Sequence, residues 1–321
     1  MLFLIPRMAR VRRRLFWNGA AALFLAVAGA ATAAVEEHRE VPYAGTDHPR
    51  KRLDLYLPRE RAGTGLLPVV VFVHGGGWGS GDKAGGKAVV LPYVESGYYA
   101  GVSVGYRLSG HAPWPAQIHD CKAAIRWIRA NAARHGLDPE RIAVTGPSAG
   151  GTLATLLGVG AGVAELEGEV GPHRGESSRV TCVINRFGRL NFLAEPAVAR
   201  ASPAQLPALE ERLRVLFGGT LQERADVART ASPVTHVTAG DVPVLTFHGT
   251  EDGLVPIAQA EEFDRVMRAA GVPHHLVRVV GGGHGFESGE ERRRTRQFLD
   301  RWLRGIPAEI STEPIVLPRK K

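Results

Sequence analysis

Arg141-Ile142-Ala143-Val144-Thr145-Gly146-Pro147-Ser148-Ala149-Gly150-Gly151 is the stretch that decides the fold. An apolar run of strand character leads into it, and Gly151-Thr152-Leu153-Ala154-Thr155-Leu156-Leu157 leads out with helical character. A serine between two glycines at a strand-to-helix junction has the form of a nucleophile elbow. The turn is so tight that a Cβ at either flanking position would meet the adjoining strand or helix, and the serine is held strained with its hydroxyl at the carboxyl edge of a sheet. Glycine-rich chains also produce this pentapeptide by chance, so its surroundings must carry the reading.

Upstream, Leu67-Pro68-Val69-Val70-Val71-Phe72-Val73 reads as a buried strand and runs directly into His74-Gly75-Gly76-Gly77-Trp78. Three glycines after a strand leave the main chain bare. The N–H groups of Gly75 and Gly76, with that of Ala149 beside the serine, are expected to form an oxyanion hole. The alternative, a phosphate-binding loop, lacks the Lys-Ser/Thr ending of the Walker pattern, and His74 at the strand end suits a loop anchor.

Downstream, Val242-Pro243-Val244-Leu245-Thr246-Phe247-His248 is another buried strand, and Asp252 follows on its end loop. A helix-like stretch from about 256 to 270, a strand over 275–280 and then Gly281-Gly282-Gly283-His284-Gly285 place His284 on a second strand-end loop. The chain order Ser148, Asp252, His284 is the one expected for this architecture. A serine hydroxyl is a weak nucleophile at neutral pH, so His284 is expected to take its proton and pass it to the leaving group. Asp252 is expected to fix the imidazole tautomer, with Glu251 as the alternative acid.

These segments, together with Gly79-Ser80-Gly81-Asp82-Lys83, Gly105-Tyr106-Arg107-Leu108 and Pro115-Ala116-Gln117-Ile118-His119-Asp120, resemble the bacterial esterase/lipase family of the α/β-hydrolase superfamily. The resemblance covers about residues 40 to 305. It points to the carbohydrate-esterase-like branch, near feruloyl and acetyl-xylan esterases and formamidases, and to hormone-sensitive-lipase-type esterases. It implies hydrolysis of short-acyl carboxylic esters through an acyl-enzyme, with acetyl or feruloyl groups on carbohydrate among the substrates. The alternatives are a formamidase-type amide hydrolase and a non-catalytic binding protein. By analogy Trp78 walls the acyl pocket; the other reading packs it beneath the loop. Two departures stand out: Asn185-Arg186-Phe187-Gly188-Arg189 replaces the usual turn and leaves the leaving-group side of the pocket open to question, and Gly105 replaces an asparagine, read as a packing change near the site.

The expected fold class is α/β, an α/β-hydrolase fold with a mostly parallel central sheet, helices on both faces, and an antiparallel opening that includes residues 52–57. The strand–helix alternation lapses over about 186–237, between the sixth and seventh strands, and a small lid is expected there. The glycine- and glutamate-rich stretch 158–178 reads as a mobile surface loop. Residues 34–321 are expected to form one catalytic domain.

Residues 1–33 read as an export signal peptide: five arginines and no acid in the first 14 residues, an apolar run over 19–31, and Ala31-Thr32-Ala33 for cleavage. Both Sec and twin-arginine routes suit it, and the alternative is a retained membrane anchor, the one membrane contact envisaged. The expected location is periplasmic or extracellular. Without those arginines the net charge falls from +8 to +3. No basic-aromatic stripe calls for a nucleic-acid partner. Cys121 and Cys182 read as buried hydrophobes on separate elements, unbridged and without metal spacing, so no metal or cofactor is expected. The expected partner is a small-molecule or carbohydrate ester. His248 reads as a loop brace, Asp82 and Lys83 as ties for the oxyanion loop, Tyr106 and Arg107 as structural, and the remaining histidines as surface or packing residues.

Overall fold

In the computed structural model, which describes residues 1–2, 35–194 and 206–318, the elements follow one another as β1 (Val35–Pro42), β2 (Arg52–Pro58), β3 (Leu67–Val73), α1 (Lys87–Val94), β4 (Ala100–Val104), α2 (Ala116–Ala130), α3 (Ala132–His135), β5 (Leu137–Pro147), α4 (Ala149–Val159), α5 (Ala164–Glu167), β6 (Cys182–Arg186), α6 (Leu206–Phe217), α7 (Ala225–Thr230), β7 (Val244–Gly249), α8 (Ala258–Ala269), β8 (His274–Val280), α9 (Gly289–Arg304) and β9 (Ile315–Val316). The chain divides into units 1–32 and 33–321. The expected leader, 1–33, lies outside the described residues apart from its first two. Among the described residues no helix is long and apolar enough to cross a membrane.

One sheet runs in the order β1-β2-β4-β3-β5-β6-β7-β8-β9. β1, β2 and β4 pair antiparallel, and every pair from β4–β3 to β8–β9 is parallel. The order doubles back at β3: the chain goes to β4 on one side and returns to β5 on the other. At such a switch point the loops leaving adjacent strands part in opposite directions, and a crevice opens at the strands' carboxyl ends.

β3 shows why its sequence is an unbroken apolar run. Val69, Val71 and Val73 join the core built on α2, α4 and α8. On the opposite face Val70 packs with Phe298 and Leu299 of α9, and Phe72 with Val90 and Val94 of α1. A parallel strand covered on both faces has no solvent side, so polar alternation disappears. The same split separates the cysteines: Cys121 belongs to the first core and Cys182 to the second. Both are free, as expected, and burial pushes both thiols up.

Residues 158–178 correct the sequence reading: they are fastened rather than mobile. Leu166 is fully buried, and the Glu167 carboxylate accepts hydrogen bonds from Lys122 Nζ at 2.6 Å, Arg126 Nη1 at 3.2 Å and Ser178 Oγ at 2.8 Å. Lys122, on α2, is itself fully buried and also donates to Gly160 O at 2.8 Å. Composition marks Glu167 as a surface charge, but its cations reach it from 45 and 41 residues away in sequence. Gly105 is also clarified: a Cβ there would stand 2.8 Å from Arg50 O, so the glycine admits the main chain entering β2 and does not shape the site.

Removing Lys122 strips one charge-assisted hydrogen bond from Glu167, which keeps Arg126 as a second cation. Lys122→Ala is therefore expected to lower stability by about 2 kcal/mol in urea unfolding and to make 160–178 the first segment cut in limited proteolysis. A Lys122→Ala protein cut no faster there than wild type would return the segment to a loose loop.

Candidate active site

Ser148 lies at the switch point, between β5 and α4, with φ +53° and ψ −123°. That left-handed conformation is strained for a residue with a side chain. The flanking glycines explain why it persists. A Cβ on Gly146 would stand 2.5 Å from Val73 O, and one on Gly150 would stand 2.1 Å from the same atom. The elbow therefore rests directly on the end of β3, and Ser148 N–H donates to Arg186 O at 2.8 Å, tying it to β6 on the other side.

This contact also brings the glycine loop to the serine. A Cβ on Gly75 would stand 2.8 Å from Pro147 O and 3.5 Å from Ser148 Cβ. His74 anchors the loop as expected. Its Nδ1–H donates to Gly75 O at 2.8 Å, its ring stacks on Tyr106 at 4.1 Å between centroids, and the Tyr106 hydroxyl donates to His74 O at 2.9 Å. Burial pushes the His74 imidazole down, which favours the neutral form. Farther along, Ser80 N–H turns back to Gly76 O at 3.1 Å. Asp82 accepts from Ala84 N–H and Arg50, and Lys83 pairs with Asp54 at 2.9 Å and with Glu40. Gly75, Gly76 and Ala149 all line the cavity that contains Ser148. Ala149 opens α4, so its N–H has no acceptor within the helix.

Asp252 and His284 arrive from the next strands. His284 Nδ1–H donates to Asp252 Oδ2 at 2.8 Å, and the Ser148 hydroxyl donates to His284 Nε2 at 2.9 Å. The two loops are stitched together by Thr250 N–H to Val279 O at 3.0 Å and Glu251 N–H to Gly282 O at 2.8 Å. Asp252 is the acid, and Glu251 is exposed. Burial alone would raise the Asp252 carboxyl, but hydrogen bonds from His248 and His284 and the N–H of Val255 hold it well below the usual carboxylate range. The arrangement favours its ionised form. Its contribution to stability is present above the ordinary carboxylate range and is lost only as pH falls through the depressed value.

Sequence reasoning underweighted several residues. His248 does brace the loop, donating Nε2–H to Val255 O at 2.8 Å, and the same nitrogen stands 3.4 Å from Asp252 Oδ2. A histidine closing the strand that feeds the acid's loop was the available signal. In the unusual 185–189 turn, Arg186 points away to Glu291 and Phe286 O. Phe187, at φ +45°, sets its ring edge-on to His284 at 5.0 Å. Arg189 is 2% exposed; burial pushes its guanidinium down to about 10, and the nearby Asp252 carboxylate opposes that shift.

The cavity around Ser148 measures about 530 Å³. Trp78 fits both readings: it lines the cavity and is packed at 5.4 Å against Phe192, which meets Phe217 of α6 edge-on at 5.1 Å. Ala208, Leu209 and Arg212 of α6 close the cavity, so the expected insertion does lie over the serine; its residues 195–205 are outside those described. A second cavity, of about 510 Å³ between α1 and α9, holds no serine, cysteine or histidine among its lining residues. No cluster that could hold a metal occurs among the described residues.

Residues 53–267 match the BD-FAE family. The match stops short of His284, which the sequence places on the loop after β8 and the structure brings to Ser148. Among curated relatives, the chain is similar to esterase LipC of Mycobacterium tuberculosis, 33% identical over 242 residues, or 75% of this chain and 58% of that protein. The chain spans little more than half the length of LipC and of two further mycobacterial relatives. Among solved structures, it is similar to a truncated carbohydrate esterase from gut microbiota, with TM-score 0.74 and 29% identity over 86% of this chain and 99% of that one. Thermogutta terrifontis esterase 2 phosphonylated by sarin has TM-score 0.65 and 29% identity over 84% and 94%.

A fluorophosphonate probe is expected to label Ser148 and no other serine by peptide mapping. Asp252→Asn, which disturbs the tautomer and leaves the fold in place, should slow labelling by roughly 10³- to 10⁴-fold. Labelling elsewhere, or at an undiminished rate, would remove the triad assignment.

Proposed function

The chain belongs to the BD-FAE family, and on that premise we propose that it is a serine hydrolase of carboxylic esters with short acyl groups, acetyl and hydroxycinnamoyl groups on carbohydrate among them. The observation that carries this reading is the continuous hydrogen-bonded chain Ser148–His284–Asp252 at the mouth of a cavity floored by Gly75, Gly76 and Ala149. The similarity to esterases, one of them a carbohydrate esterase, supports it.

Ser148 Oγ attacks the ester carbonyl as its proton passes to His284 Nε2, and the carbonyl π pair becomes an alkoxide facing the N–H groups of Gly75, Gly76 and Ala149. Such donors stabilise charge that exists only in the transition state and intermediate; losing one typically costs about 10²- to 10³-fold in rate. The intermediate collapses, the C–O bond to the alcohol breaks, and His284 returns the proton to the departing oxygen. Water, deprotonated by the same imidazole, then cleaves the acyl-enzyme to the free acid and Ser148. Asp252 stays ionised throughout and stabilises the imidazolium. Among the described residues the lid lines the cavity with a single helical turn, Ala208 to Arg212, which supports short acyl groups. Residues 1–33 are proposed as an export leader, on the strength of their arginines and apolar run.

Hydrolysis of p-nitrophenyl acetate, butyrate, octanoate and palmitate is expected to fall with chain length, with methyl ferulate and acetylated xylan also turned over. Ser148→Ala should reduce each rate by about 10⁴-fold or more with an unchanged thermal melt. Absence of serine-dependent turnover on all of them would overturn the esterase reading. N-terminal sequencing of exported protein is expected to begin near Ala34; a start at Met1 on membrane-bound protein would favour the anchor instead.

A further inference from the structure

The lining of the Ser148 cavity carries two guanidinium groups and, among the described residues, no carboxylate. The two cations differ in setting. Arg189 is buried beside Asp252, whose charge opposes its own. Arg212 projects from α6 and makes no ion pair or hydrogen bond among the described residues, although acids are at hand. Glu211, its neighbour on the helix, is taken bidentately by Arg214 at 2.7 and 2.8 Å, and Glu223 accepts from Thr220 at 2.9 Å. A Cβ placed on Gly77 would stand 3.0 Å from Arg212 Nη1, so the guanidinium hangs over the third glycine of the oxyanion loop, in space that the glycine leaves open.

An unpaired guanidinium at a cavity wall is a planar fork of donors matched to a carboxylate. Arg212 is exposed at the rim of the cavity, so it can meet a substrate carboxylate without first being desolvated, and its field there is screened by salt. We propose that Arg212 is a specificity-determining residue that binds a carboxylate carried by the ester substrate, so that the enzyme prefers acidic esters to their neutral counterparts. This rests on the esterase reading above and narrows its substrate class. The carboxylate can sit on either side of the scissile bond: on the acyl group, as in a half-ester of a dicarboxylic acid, or on the alcohol, as in an ester of an acidic sugar or a hydroxybenzoate.

Paired substrates test this. Mono-p-nitrophenyl glutarate against its methyl ester reads the acyl side, and 4-carboxyphenyl acetate against 4-(methoxycarbonyl)phenyl acetate reads the alcohol side. In the full-chain protein at low salt, the ratio of kcat/KM for acid over neutral ester is expected to reach roughly tenfold in one pair. It should fall by about the same factor in Arg212→Gln, mostly through KM, hold largely in Arg212→Lys, and shrink as salt rises. Because the ratio is internal to each variant, a change in the folded fraction cancels. Equal ratios in wild type and Arg212→Gln for both pairs would overturn the inference while leaving the esterase reading intact. No turnover of any of the four esters by wild type would overturn both.

Discussion

The site depends on one close approach, that of the 146–150 turn onto the carbonyl of Val73. With Cβ positions at Gly146 and Gly150 falling 2.5 and 2.1 Å from that oxygen, no side chain fits between the turn and the end of β3. Because the two strands lie edge to edge, the contact fixes the nucleophile against the glycine loop that β3 itself feeds. Strain at Ser148 is the local cost, and it persists because β3, β6 and α4 fix the turn from three sides. The glycine loop and the serine thus form a single packing unit.

A second unit faces it. β7 and β8 deliver Asp252 and His284 on loops that hydrogen-bond to each other before either reaches Ser148. His248 ties the acid's loop to the strand beneath it. Acid and base therefore keep their mutual geometry independently of the serine, and the two units join through the 2.9 Å bond from Ser148 Oγ to His284 Nε2. Among the described residues the cavity lining carries Arg189 and Arg212 and no carboxylate, and Asp252 lies buried beside His284.

What was legible in the sequence follows this division. Glycines forced by close contact leave a record in the chain, so the elbow, the oxyanion loop and the chain order of the triad could be read directly, as could the buried strands. Features created by distant partners left little. The cations that hold Glu167 lie on α2, where Lys122 and Arg126 punctuate an apolar stripe and look like solvated interruptions of it. Phe187 and Arg189 reach the pocket because β6 ends beside the elbow, and Arg212 because a helix some 60 residues past Ser148 folds back over Gly77. Their residue types alone carry no such signal.

The lid leaves the sheet after β6 and returns at β7, and these strands are neighbours, with Val183 paired to Val244. Because the pair is parallel, the ladder fixes its two ends at opposite edges of the sheet, the exit at Arg186 beside Phe247 and the return at Val244 beside Val183, whatever the intervening chain does. Under such closure, doubling the length of a flexible insertion costs only about 0.6 kcal/mol. Residues can be gained or lost over the pocket mouth without disturbing either half of the catalytic apparatus. In evolutionary terms the lid is free to diverge while the sheet is held, so a single scaffold can be redirected among substrates by changes confined to one segment.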